Sequence, residues 1–446
     1  MNKKVNVICF LVIIFGLPVV LLLVPKSKHS IDEKRDLAVL PTFSRANYLN
    51  GTWTKQLDAY IDDHFPFRKT FISLTPVFNQ SFGFHFNNDE RLFVVNKSKK
   101  KVKIDKEREN KDTLTYLNEF EESFSGSLLI LNGCVYPLNG GSPKMAKSFA
   151  QMVNEYARNF PSLRVFSVVA PHSSAFIPVQ KYSKYNSQNK RTLLAIKENL
   201  HDGAIFSDVF EELNNHSKTK LYFGTDHHWK PIGAYYAYVA FCKSAGFKYI
   251  ELKDMIPKVK YNFVGTMYQY TKDPSVKDHP DTMEYWEPRV TTDAVYFGKT
   301  GTTKSIKSNV FYSSCSGGGT YSTFLGGDHP LMRITTSIKN GRRAVVIKNS
   351  MGNAFTVYLI SHYEEIWVVD LRYSKQNLAR IIKENKINDL IFAVGMYAAM
   401  SDGTIGMMRR LATQSGNYKE SENSQDPKPS SSESTPAVLT EEDSLK

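Results

Sequence analysis

The amino-acid sequence predicts an α/β fold in which a mostly parallel sheet is covered by helices on both faces. Short apolar runs rich in Val, Ile and Phe alternate with longer segments whose apolar residues recur at helical spacing. This alternation is typical of parallel sheets whose strands are buried on both sides. The chain has 446 residues, of which 41% are hydrophobic, so it contains enough apolar material for a large core.

The predicted α/β domain covers residues 126–410. Its first part contains strands at residues 128–131, 163–170 and 204–206, and helices at residues 145–159, 191–199, 209–214 and 234–245. Turn-forming residues end the first two strands, with Asn132-Gly133 after one and Pro171 after the other. Each apolar run therefore has a local signal for its end.

The helical and strand periodicity is interrupted between about residues 253 and 327. This stretch is rich in aromatics, Thr, Gly and Pro without helical spacing, which predicts a β-rich or irregular insertion. Its length is sufficient for a lid or a substrate platform. The α/β pattern then resumes, with strands at residues 343–348, 366–369 and 389–394 and helices at residues 354–362 and 378–384.

Both ends of the chain are predicted to lie outside this domain. Residues 5–24 form an apolar run that is long enough to span a bilayer, and Lys3 and Lys4 precede it. We predict that residues 1–25 are one N-terminal transmembrane helix, which would place the bulk of the chain outside the cytoplasm as a single-pass protein of the cell membrane. A cleaved signal peptide is the alternative, although no small-x-small cleavage site precedes Lys26.

Two further segments complete the predicted organisation. Residues 26–125 are expected to be a linker followed by a helical or irregular segment, including a helical pattern at residues 53–74 that the Phe65-Pro66 step interrupts. Residues 415–446 are rich in Ser, Glu, Pro and Lys, with almost no aromatics. They are predicted to be a disordered tail.

Charge and cysteine content narrow the functional classes. The formal net charge is +13, but the basic residues are scattered apart from a cluster at residues 97–103, and no nucleic-acid-binding module is present. Anionic cell-envelope glycan or lipid headgroups are therefore better partners than DNA or RNA. The spacing of the cysteines matches neither a zinc site nor a disulfide framework; they are Cys9, Cys134, Cys242 and Cys315.

The most informative motif is the sequence GTDHHWKPIGA at residues 224–234, which leads into a helical pattern. Asp226 lies two residues before His228, so in an extended or turn segment both side chains project to the same side and the carboxylate orients the imidazole. His227 would then point elsewhere, with packing or a backbone hydrogen bond as its role. The motif supplies the acid and the base of a hydrolase triad.

The nucleophile that this pair would activate is Ser350. It lies on a predicted strand-to-helix turn, where its hydroxyl would project above the carboxyl edge of the sheet and the following helix would offer N–H groups to an oxyanion. The alternative role of Ser350 is that of a helix N-cap. Asp63 and His64 have no nucleophile nearby and are interpreted as a surface acid and a packed histidine.

A metal site is the competing interpretation of Asp226-His227-His228. Metal-dependent phosphoesterases need several further carboxylates and histidines, and the other acids next to histidines, at residues 62–64 and 328–329, lack the spacing of a ligand set. We therefore predict neither a metal nor another cofactor.

Several segments together resemble the DHHW protein family, which is related to the AlgX/AlgJ-type SGNH-hydrolase-like proteins of bacterial polysaccharide O-acetylation. The central one is TDHHWKPIGA at residues 225–234. The others occur in the same order, between about residues 45 and 400: DHFPFR at 63–68, APH at 170–172, FLGGDHP at 324–330, KNSMGNA at 348–354 and VDLRY at 369–373.

The resemblance implies an SGNH-hydrolase-like fold with a permuted order of the triad. In the AlgX/AlgJ-type relatives the Asp-x-His pair and a later Ser form that triad, and these roles carry over to Asp226, His228 and Ser350. Two positions depart from the pattern: Asn349 stands where many members have Asp, and Met351 replaces a commoner aromatic. Both changes leave the nucleophile in place.

The predicted function is that of a membrane-anchored extracytoplasmic serine acyltransferase or esterase. It would act on O-acyl groups, namely O-acetyl groups, of a cell-envelope polysaccharide through an acyl-serine intermediate, with a membrane-bound acyl-donor protein as a further partner. Gly133 and Asn353 are candidate oxyanion donors. Arg372 is a candidate for binding an anionic part of the substrate, with an ion pair to Asp370 or Glu364 as its alternative. A noncatalytic glycan-binding or envelope-assembly protein on the same fold is the second interpretation.

Overall fold

The structure is a computed structural model that describes residues 3–23, 26, 29–30, 35–68, 70, 90–95, 126–298 and 305–416. Its strands in chain order are β1 (His29–Ser30), β2 (Arg35–Asp36), β3 (Glu90–Val95), β4 (Gly126–Leu131), β5 (Cys134–Pro137), β6 (Arg164–Ala170), β7 (Ala204–Phe206), β8 (Ile256–Phe263), β9 (Asp281–Glu287), β10 (Thr292–Phe297), β11 (Ile306–Ser308), β12 (Leu331–Thr336), β13 (Arg343–Lys348), β14 (Glu365–Asp370) and β15 (Asp389–Gly395).

The helices in chain order are α1 (Lys3–Leu23), α2 (Arg45–Leu49), α3 (Thr52–His64), α4 (Pro143–Asn159), α5 (Ser183–Asn199), α6 (Val209–Asn215), α7 (Pro231–Ala245), α8 (Thr266–Thr271), α9 (Pro274–Lys277), α10 (Met351–Leu359), α11 (Leu378–Glu384), α12 (Met396–Ala399) and α13 (Asp402–Arg410). Sequence signals explain several of their starts. Pro231 opens α7 at its first position, and Ser142, Asp208 and Asn377 accept capping hydrogen bonds at α4, α6 and α11.

The central sheet has the strand order β11-β10-β12-β14-β13-β15-β6-β7. The strands from β14 to β7 are parallel to one another, as predicted. β12 joins β14 in antiparallel orientation, and β10 and β11 extend the sheet beyond it, also antiparallel. The sheet is therefore mixed: β12 is the first antiparallel strand, and the region of the predicted insertion adds β10 and β11 beyond it.

One predicted strand belongs to a different sheet. The apolar run at residues 128–131 lies in β4, which pairs antiparallel with β3 and β5 and not with the central sheet. Asn132 and Gly133 both have positive φ angles, 48° and 71°, as a tight two-residue hairpin requires. The turn therefore leads straight into β5, where a parallel unit would continue into a helix.

Helices cover both faces of the central sheet. Alternate side chains of β6, β13 and β14 pack on one face against α7 and α10, in a core that contains Phe166, Val346 and Phe355. The other side chains of these strands pack against α4, α5, α11 and α13, in a core that contains Phe149 and Trp367. Strand side chains alternate between the two faces, so one sheet supports two apolar cores.

The N-terminal apolar run folds into α1, which contains Pro18. The predicted membrane anchor is not found: across the part of the chain that the structure describes, no helix is both long enough and apolar enough to cross a membrane. α3 ends at His64, just before the Phe65-Pro66 step. Asp63 accepts a hydrogen bond from the Ala38 N–H at 2.7 Å, and His64 Nε2 lies 2.9 Å from the Ala38 oxygen.

Two predictions extend beyond the described residues. Residues 69 and 71–74 of the helical pattern at residues 53–74, and residues 417–446 of the predicted tail at residues 415–446, lie outside them. The boundaries of the predicted domains remain predictions. Cys134, Cys242 and Cys315 are free thiols.

Candidate active site

Ser350 lies between the end of β13 and the start of α10 and is completely buried, with 0% exposure. It occupies the N-cap position of α10, but its side chain makes no capping hydrogen bond. Its Oγ lies instead 2.8 Å from His228 Nε2. The position is that of an N-cap, whereas the hydroxyl is directed at a base.

Asp226 and His228 complete a hydrogen-bonded chain that ends at this hydroxyl. His228 Nδ1 lies 2.5 Å from Asp226 Oδ1, and the same oxygen accepts from the His228 backbone N–H at 3.0 Å. A carboxylate held at Nδ1 keeps the proton on that nitrogen and leaves Nε2 to accept a proton from the serine. The sequence offset of two residues does bring both side chains to one side of the loop.

The other carboxylate oxygen of Asp226 is held by the segment that follows β8. Thr266 donates to Oδ2 from its backbone N–H at 2.9 Å and from Oγ1 at 3.0 Å. Burial alone would raise the pKa of Asp226, but His228 and His227, with the hydrogen bonds from His228 and Thr266, outweigh it and hold the pKa well below its usual range. Asp226 is therefore a carboxylate across the physiological pH range.

The loop that carries Asp226 and His228 is held at both of its ends and by contacts to Asp281. Tyr222 and Trp229 pair across the neck, and Trp229 Nε1 donates to the Met351 oxygen at 3.0 Å, which ties the loop to the start of α10. The buried carboxylate of Asp281, in β9, accepts from the N–H of Gly224 and from the N–H and Oγ1 of Thr225 at 2.8 to 3.0 Å. These contacts fix the distance between His228 and Ser350.

Tyr321 braces the base from the other side. It lies in the 3-10 segment Gly317–Thr323, and its ring stacks on the imidazole of His228. Its hydroxyl donates to the backbone oxygen of Ser350 at 3.3 Å. Burial, followed by the nearby charge of Asp226, raises the pKa of this phenol well above its usual range. Tyr321 is therefore a neutral group that touches both His228 and the nucleophile turn.

A cleft lies beside the triad. Asn349 and Met351, the two neighbours of Ser350, line it together with His227, Gly395 and His172. Asn349 Oδ1 accepts from the Gly395 N–H at 3.1 Å, which joins the ends of β13 and β15. The cleft thus lies at the carboxyl edge of the parallel strands, where open α/β sheets bind their ligands.

His227 lies outside the triad and packs against it, and its hydrogen bond goes to a side chain instead of the backbone. Its Nδ1 lies 2.8 Å from Thr266 Oγ1 and 3.9 Å from Asp226 Oδ1, and its ring contacts that of His228 with centroids 3.8 Å apart. Because it also lines the cleft, His227 is part of the site's wall, although the triad geometry does not include it.

Asn353 and Arg372, the predicted oxyanion donor and anion-binding residue, belong to a buried ionic network. Asn353 Nδ2 donates to Asp328 Oδ1 at 3.0 Å. The Arg372 guanidinium donates to Asp370 at 2.9 and 2.7 Å and lies 2.9 Å from Asp328 Oδ2. Arg372 therefore forms the ion pair with Asp370 that was the alternative to binding an anionic substrate.

Lys348 completes this network two residues before the nucleophile. Its Nζ lies 2.6 Å from Asp328 and 2.7 Å from Asp370, and all three side chains are almost fully buried. Burial alone would raise the pKa of Asp328, but the charges of Arg372 and Lys348 and the hydrogen bonds of Lys348 and Asn353 hold it well below its usual range. The network therefore holds the residues on both sides of Ser350, namely Lys348 and Asn353, in place.

Gly133 is the predicted oxyanion donor that the structure places elsewhere. It sits in the β4–β5 hairpin turn, where a Cβ atom would come within 2.8 Å of His279 and Ser275. The prediction assumed a strand-to-helix turn at the edge of the central sheet. Because β4 belongs to another sheet, this turn does not share that edge.

Asp226, His227 and His228 lie close enough together to hold a metal ion. Asp226, His227 and His228 each offer one ligand atom, all within 4.8 Å of one another. Both oxygens of Asp226 and both ring nitrogens of His228 are, however, already engaged with each other, Thr266 and Ser350. A metal ion would have to replace those hydrogen bonds.

The residues that hold the triad carry no signal in the local sequence. Thr266, Asp281 and Tyr321 all come from the region predicted as an insertion, which has no regular periodicity. His172 was singled out only by the family resemblance, although its position directly after β6 and Pro171 is a signal, since the carboxyl ends of parallel strands share one edge.

Fold and site together define an α/β protein with a buried Ser–His–Asp chain at the carboxyl edge of its sheet. A family model described as DHHW protein matches residues 96–369. Because this match spans more than half of the 446 residues, the chain belongs to the DHHW family.

Solved structures show where this fold has been seen. A DHHW family protein from Eubacterium siraeum is 32% identical, with a TM-score of 0.58, and the match covers 63% of this chain and 94% of that chain. PatB1 of Bacillus cereus, solved with a sulfonyl adduct, is 17% identical with a TM-score of 0.50 and coverages of 63% and 96%. The O-acetyltransferase domain of Pseudomonas putida AlgJ is 11% identical, with a TM-score of 0.33 and coverages of 63% and 96%. No curated protein matches the chain.

Proposed function

We propose that this protein is a serine-dependent acyltransferase or esterase that acts on O-acetyl groups of a glycan. Ser350 is the nucleophile, His228 the general base and acid, and Asp226 the carboxylate that orients His228. The observation that carries the proposal is the 2.8 Å contact between His228 Nε2 and Ser350 Oγ, with Asp226 at the opposite ring nitrogen.

In the first half-reaction, Ser350 Oγ attacks the ester carbonyl while His228 Nε2 takes the hydroxyl proton. His228 then gives that proton to the departing alcohol oxygen as the C–O bond breaks, leaving acyl-Ser350. In the second half-reaction, His228 deprotonates water or a glycan hydroxyl, which attacks the acyl-serine. The bond between the acyl carbon and Ser350 Oγ then breaks, and His228 returns the proton to Oγ. The products are a carboxylic acid in hydrolysis and a new ester in transfer.

The negative charge on the tetrahedral carbonyl oxygen needs a stabilising partner. We place it at the N-terminus of α10, which begins next to Ser350 and whose dipole and backbone N–H groups favour an anion. A well-placed N–H donor lowers such a barrier by about 3 kcal/mol. Asn353 supports this end of the helix through Asp328.

Labelling with a sulfonyl fluoride tests the nucleophile directly, because such reagents form an adduct with an activated serine. The purified protein is treated with the reagent and analysed by peptide mass spectrometry. We expect one adduct, on Ser350, that is absent in Ser350→Ala and in His228→Ala. Ser361, which is half-buried just beyond α10, provides a matched Ser361→Ala control that keeps the adduct.

The complete burial of Ser350 favours one other role, that of a noncatalytic glycan-binding protein on the same fold. Reactivity and binding assays distinguish the enzyme from the binding protein. A protein that neither reacts with the sulfonyl fluoride nor releases acetate from an acetyl ester, yet binds glycan, is a binding protein.

Transfer and hydrolysis are separated by incubating the protein with an acetyl ester and an oligosaccharide. An acetylated oligosaccharide detected by mass spectrometry identifies a transferase, whereas release of acetate alone identifies an esterase. The glycan, the acetyl group and the acyl-donor protein are proposed from the resemblance of the sequence motifs.

We also propose that the reaction takes place outside the cytoplasm at the cell membrane, because envelope glycan is found there. Protease treatment of intact cells tests this location. Digestion of the protein without lysis supports it, and protection until lysis contradicts it.

A further inference from the structure

The cleft beside Ser350 has a mostly apolar lining. Two prolines and two methionines contribute to it, and none of the described lining residues is Asp, Glu, Lys or Arg. The four apolar residues are Pro137, Pro171, Met351 and Met396. An acyl chain gains apolar contacts in such a cleft, whereas a charged group would lose its hydration without gaining a partner. The lining therefore suits the hydrocarbon part of an ester.

Met351 is the apolar lining residue that directly follows the nucleophile in the chain. It is also the first residue of α10. In the proposed mechanism the carbonyl oxygen of the substrate lies at the N-terminus of this helix. The acyl carbon that is bonded to Ser350 Oγ then lies beside Met351.

The side chain of Met351 lies across Gly395, at the end of β15. A Cβ atom at Gly395 would come 2.9 Å from Met351 Cγ and 3.7 Å from Met351 Cβ, so the methionine covers the side of the glycine that carries no side chain. Both residues line the cleft. Met351 therefore forms the part of the wall between the nucleophile and the end of β15, and with 6% exposure it leaves little open space there.

The groups around this side chain are held in place. Trp229 Nε1 donates to the Met351 backbone oxygen at 3.0 Å, and the Gly395 N–H donates to Asn349 Oδ1 at 3.1 Å. Met396 is 1% exposed, and a Cβ atom at Gly141 would come 2.8 Å from its sulfur. Because these neighbours are fixed, the length of the Met351 side chain limits the room beside the nucleophile.

We propose that Met351 determines the acyl specificity of this site, because its side chain leaves room for an acetyl group and excludes longer acyl chains. This inference rests on the proposed function, since it concerns the acyl group that Ser350 carries. Met351→Ala removes the Cγ, Sδ and Cε atoms. Since neighbouring groups relax only partly around such a deletion, the variant gains a pocket over Gly395 that a longer acyl chain can enter.

The acyl preference of the full-length protein tests this inference. kcat/KM is measured for p-nitrophenyl acetate and p-nitrophenyl butyrate with the wild type and with Met351→Ala. We expect the wild type to prefer the acetate. In Met351→Ala the ratio of butyrate to acetate should rise by about tenfold or more, the value of burying two additional methylene groups.

Gly395→Ala adds a result that a general loss of packing would not give. The φ angle of Gly395 is −76°, which alanine adopts freely, and the only close neighbour of the added methyl group is Met351 Cγ. In the double variant Met351→Ala/Gly395→Ala, this methyl group refills part of the pocket. We expect the ratio of butyrate to acetate to fall again by about threefold or more, the value of about one methylene group.

Met407 provides the matched control. It lies in α13, half-buried against the core on the other face of the sheet, so Met407→Ala should keep the wild-type ratio. A wild type that prefers the butyrate, an unchanged ratio in Met351→Ala, or a double variant that keeps the raised ratio would each overturn the proposal. If a thermal melt shows that Met351→Ala does not fold, Met351→Val replaces it.

The two proposals fail in different ways. Ester hydrolysis that depends on Ser350 but keeps the same acyl preference in Met351→Ala contradicts this inference and leaves the proposed function intact. Absence of hydrolysis of both esters, together with absence of a sulfonyl adduct on Ser350, contradicts the proposed function and this inference with it.

Discussion

The ring of Tyr321 lies almost flat on the imidazole of His228, with centroids 3.8 Å apart and an interplanar angle of 13°. The same residue bonds the backbone oxygen of Ser350, so one side chain contacts both members of the reacting pair. Tyr321 comes from the region that the sequence predicts as an insertion. Part of that region therefore supports the base of the site.

Replacing Tyr321 by Leu should lower kcat about tenfold, because a catalytic base that is no longer held spends less time in reacting geometry. Tyr321→Phe keeps the stacked ring and should lose no more than about threefold, the value of one weak hydrogen bond. Initial rates of acetyl ester hydrolysis measure both. Equal losses in the two variants would show that the hydroxyl, and not the stacking, is what matters.

Gly265 gives a second test of how the site is held. A Cβ atom at this position would lie 2.3 Å from the Cβ and Oδ2 atoms of Asp226, so Gly265→Ala must displace the carboxylate from His228. We expect kcat to fall by about a hundredfold, since a misplacement of about 1 Å has that effect. Gly319 also lies in the insertion region, with open space around it. The matched variant Gly319→Ala should keep its rate, and equal losses in both would contradict the steric explanation.

Much of the parallel part of the fold was predictable, because fully buried strands appear as continuous apolar runs. β13 and α11 have the predicted bounds. β12 was missed: its sequence LMRITT mixes apolar and polar residues without clear alternation, and its strand character comes from pairing with β10 and β14 on either side. The run at residues 128–131 predicted a strand, but local sequence carries no information on which sheet it joins.

The residues of the site also divide into those that local sequence predicts and those that it does not. Asp226, His228 and Ser350 could be proposed from local motifs, since an Asp-x-His offset and a strand-to-helix serine are short-range patterns. Thr266 and Asp281 could not, because they reach the motif from 40 to 57 residues away through an irregular segment. Gly133 lies in a hairpin outside the central sheet for the same physical reason, since sheet membership is decided by distant pairing.

The network of Asp328 predicts a pH-dependent stability. Asp328→Asn leaves the buried Lys348 and Arg372 with one carboxylate, Asp370, and should cost about 3 kcal/mol of unfolding free energy at pH 7, as broken buried ion pairs do. The folded-state pKa of Asp328 is lowered below the value of about 3.9 for an unfolded Asp. Its stabilisation is therefore complete above about pH 5 and is lost as the pH falls through about 4 and lower.

Urea unfolding at pH 7 and at pH 3 measures this dependence. The difference in stability between the wild type and Asp328→Asn should shrink at pH 3. Asp293 is an exposed acid in the antiparallel part of the same sheet, so Asp293→Asn should change little at either pH. A gap of the same size at pH 7 and pH 3 would show that the carboxylate's charge is not what stabilises the network.

Variants of the two adjacent histidines, His227 and His228, distinguish the serine triad from a metal site. In the triad, His228 transfers the proton and His227 only lines the cleft, so His228→Ala should lower kcat by about 10⁴-fold or more and His227→Ala by less than about tenfold. A metal held by Asp226, His227 and His228 would require both histidines equally, and EDTA would abolish activity. Acetyl ester hydrolysis by each variant, with and without EDTA, together with metal analysis of the purified protein, compares the two mechanisms. If the protein contains stoichiometric zinc or manganese and both variants lose activity equally, the nucleophile is a metal-bound water and not Ser350. If activity resists EDTA and depends on His228 and Ser350, the nucleophile is the serine.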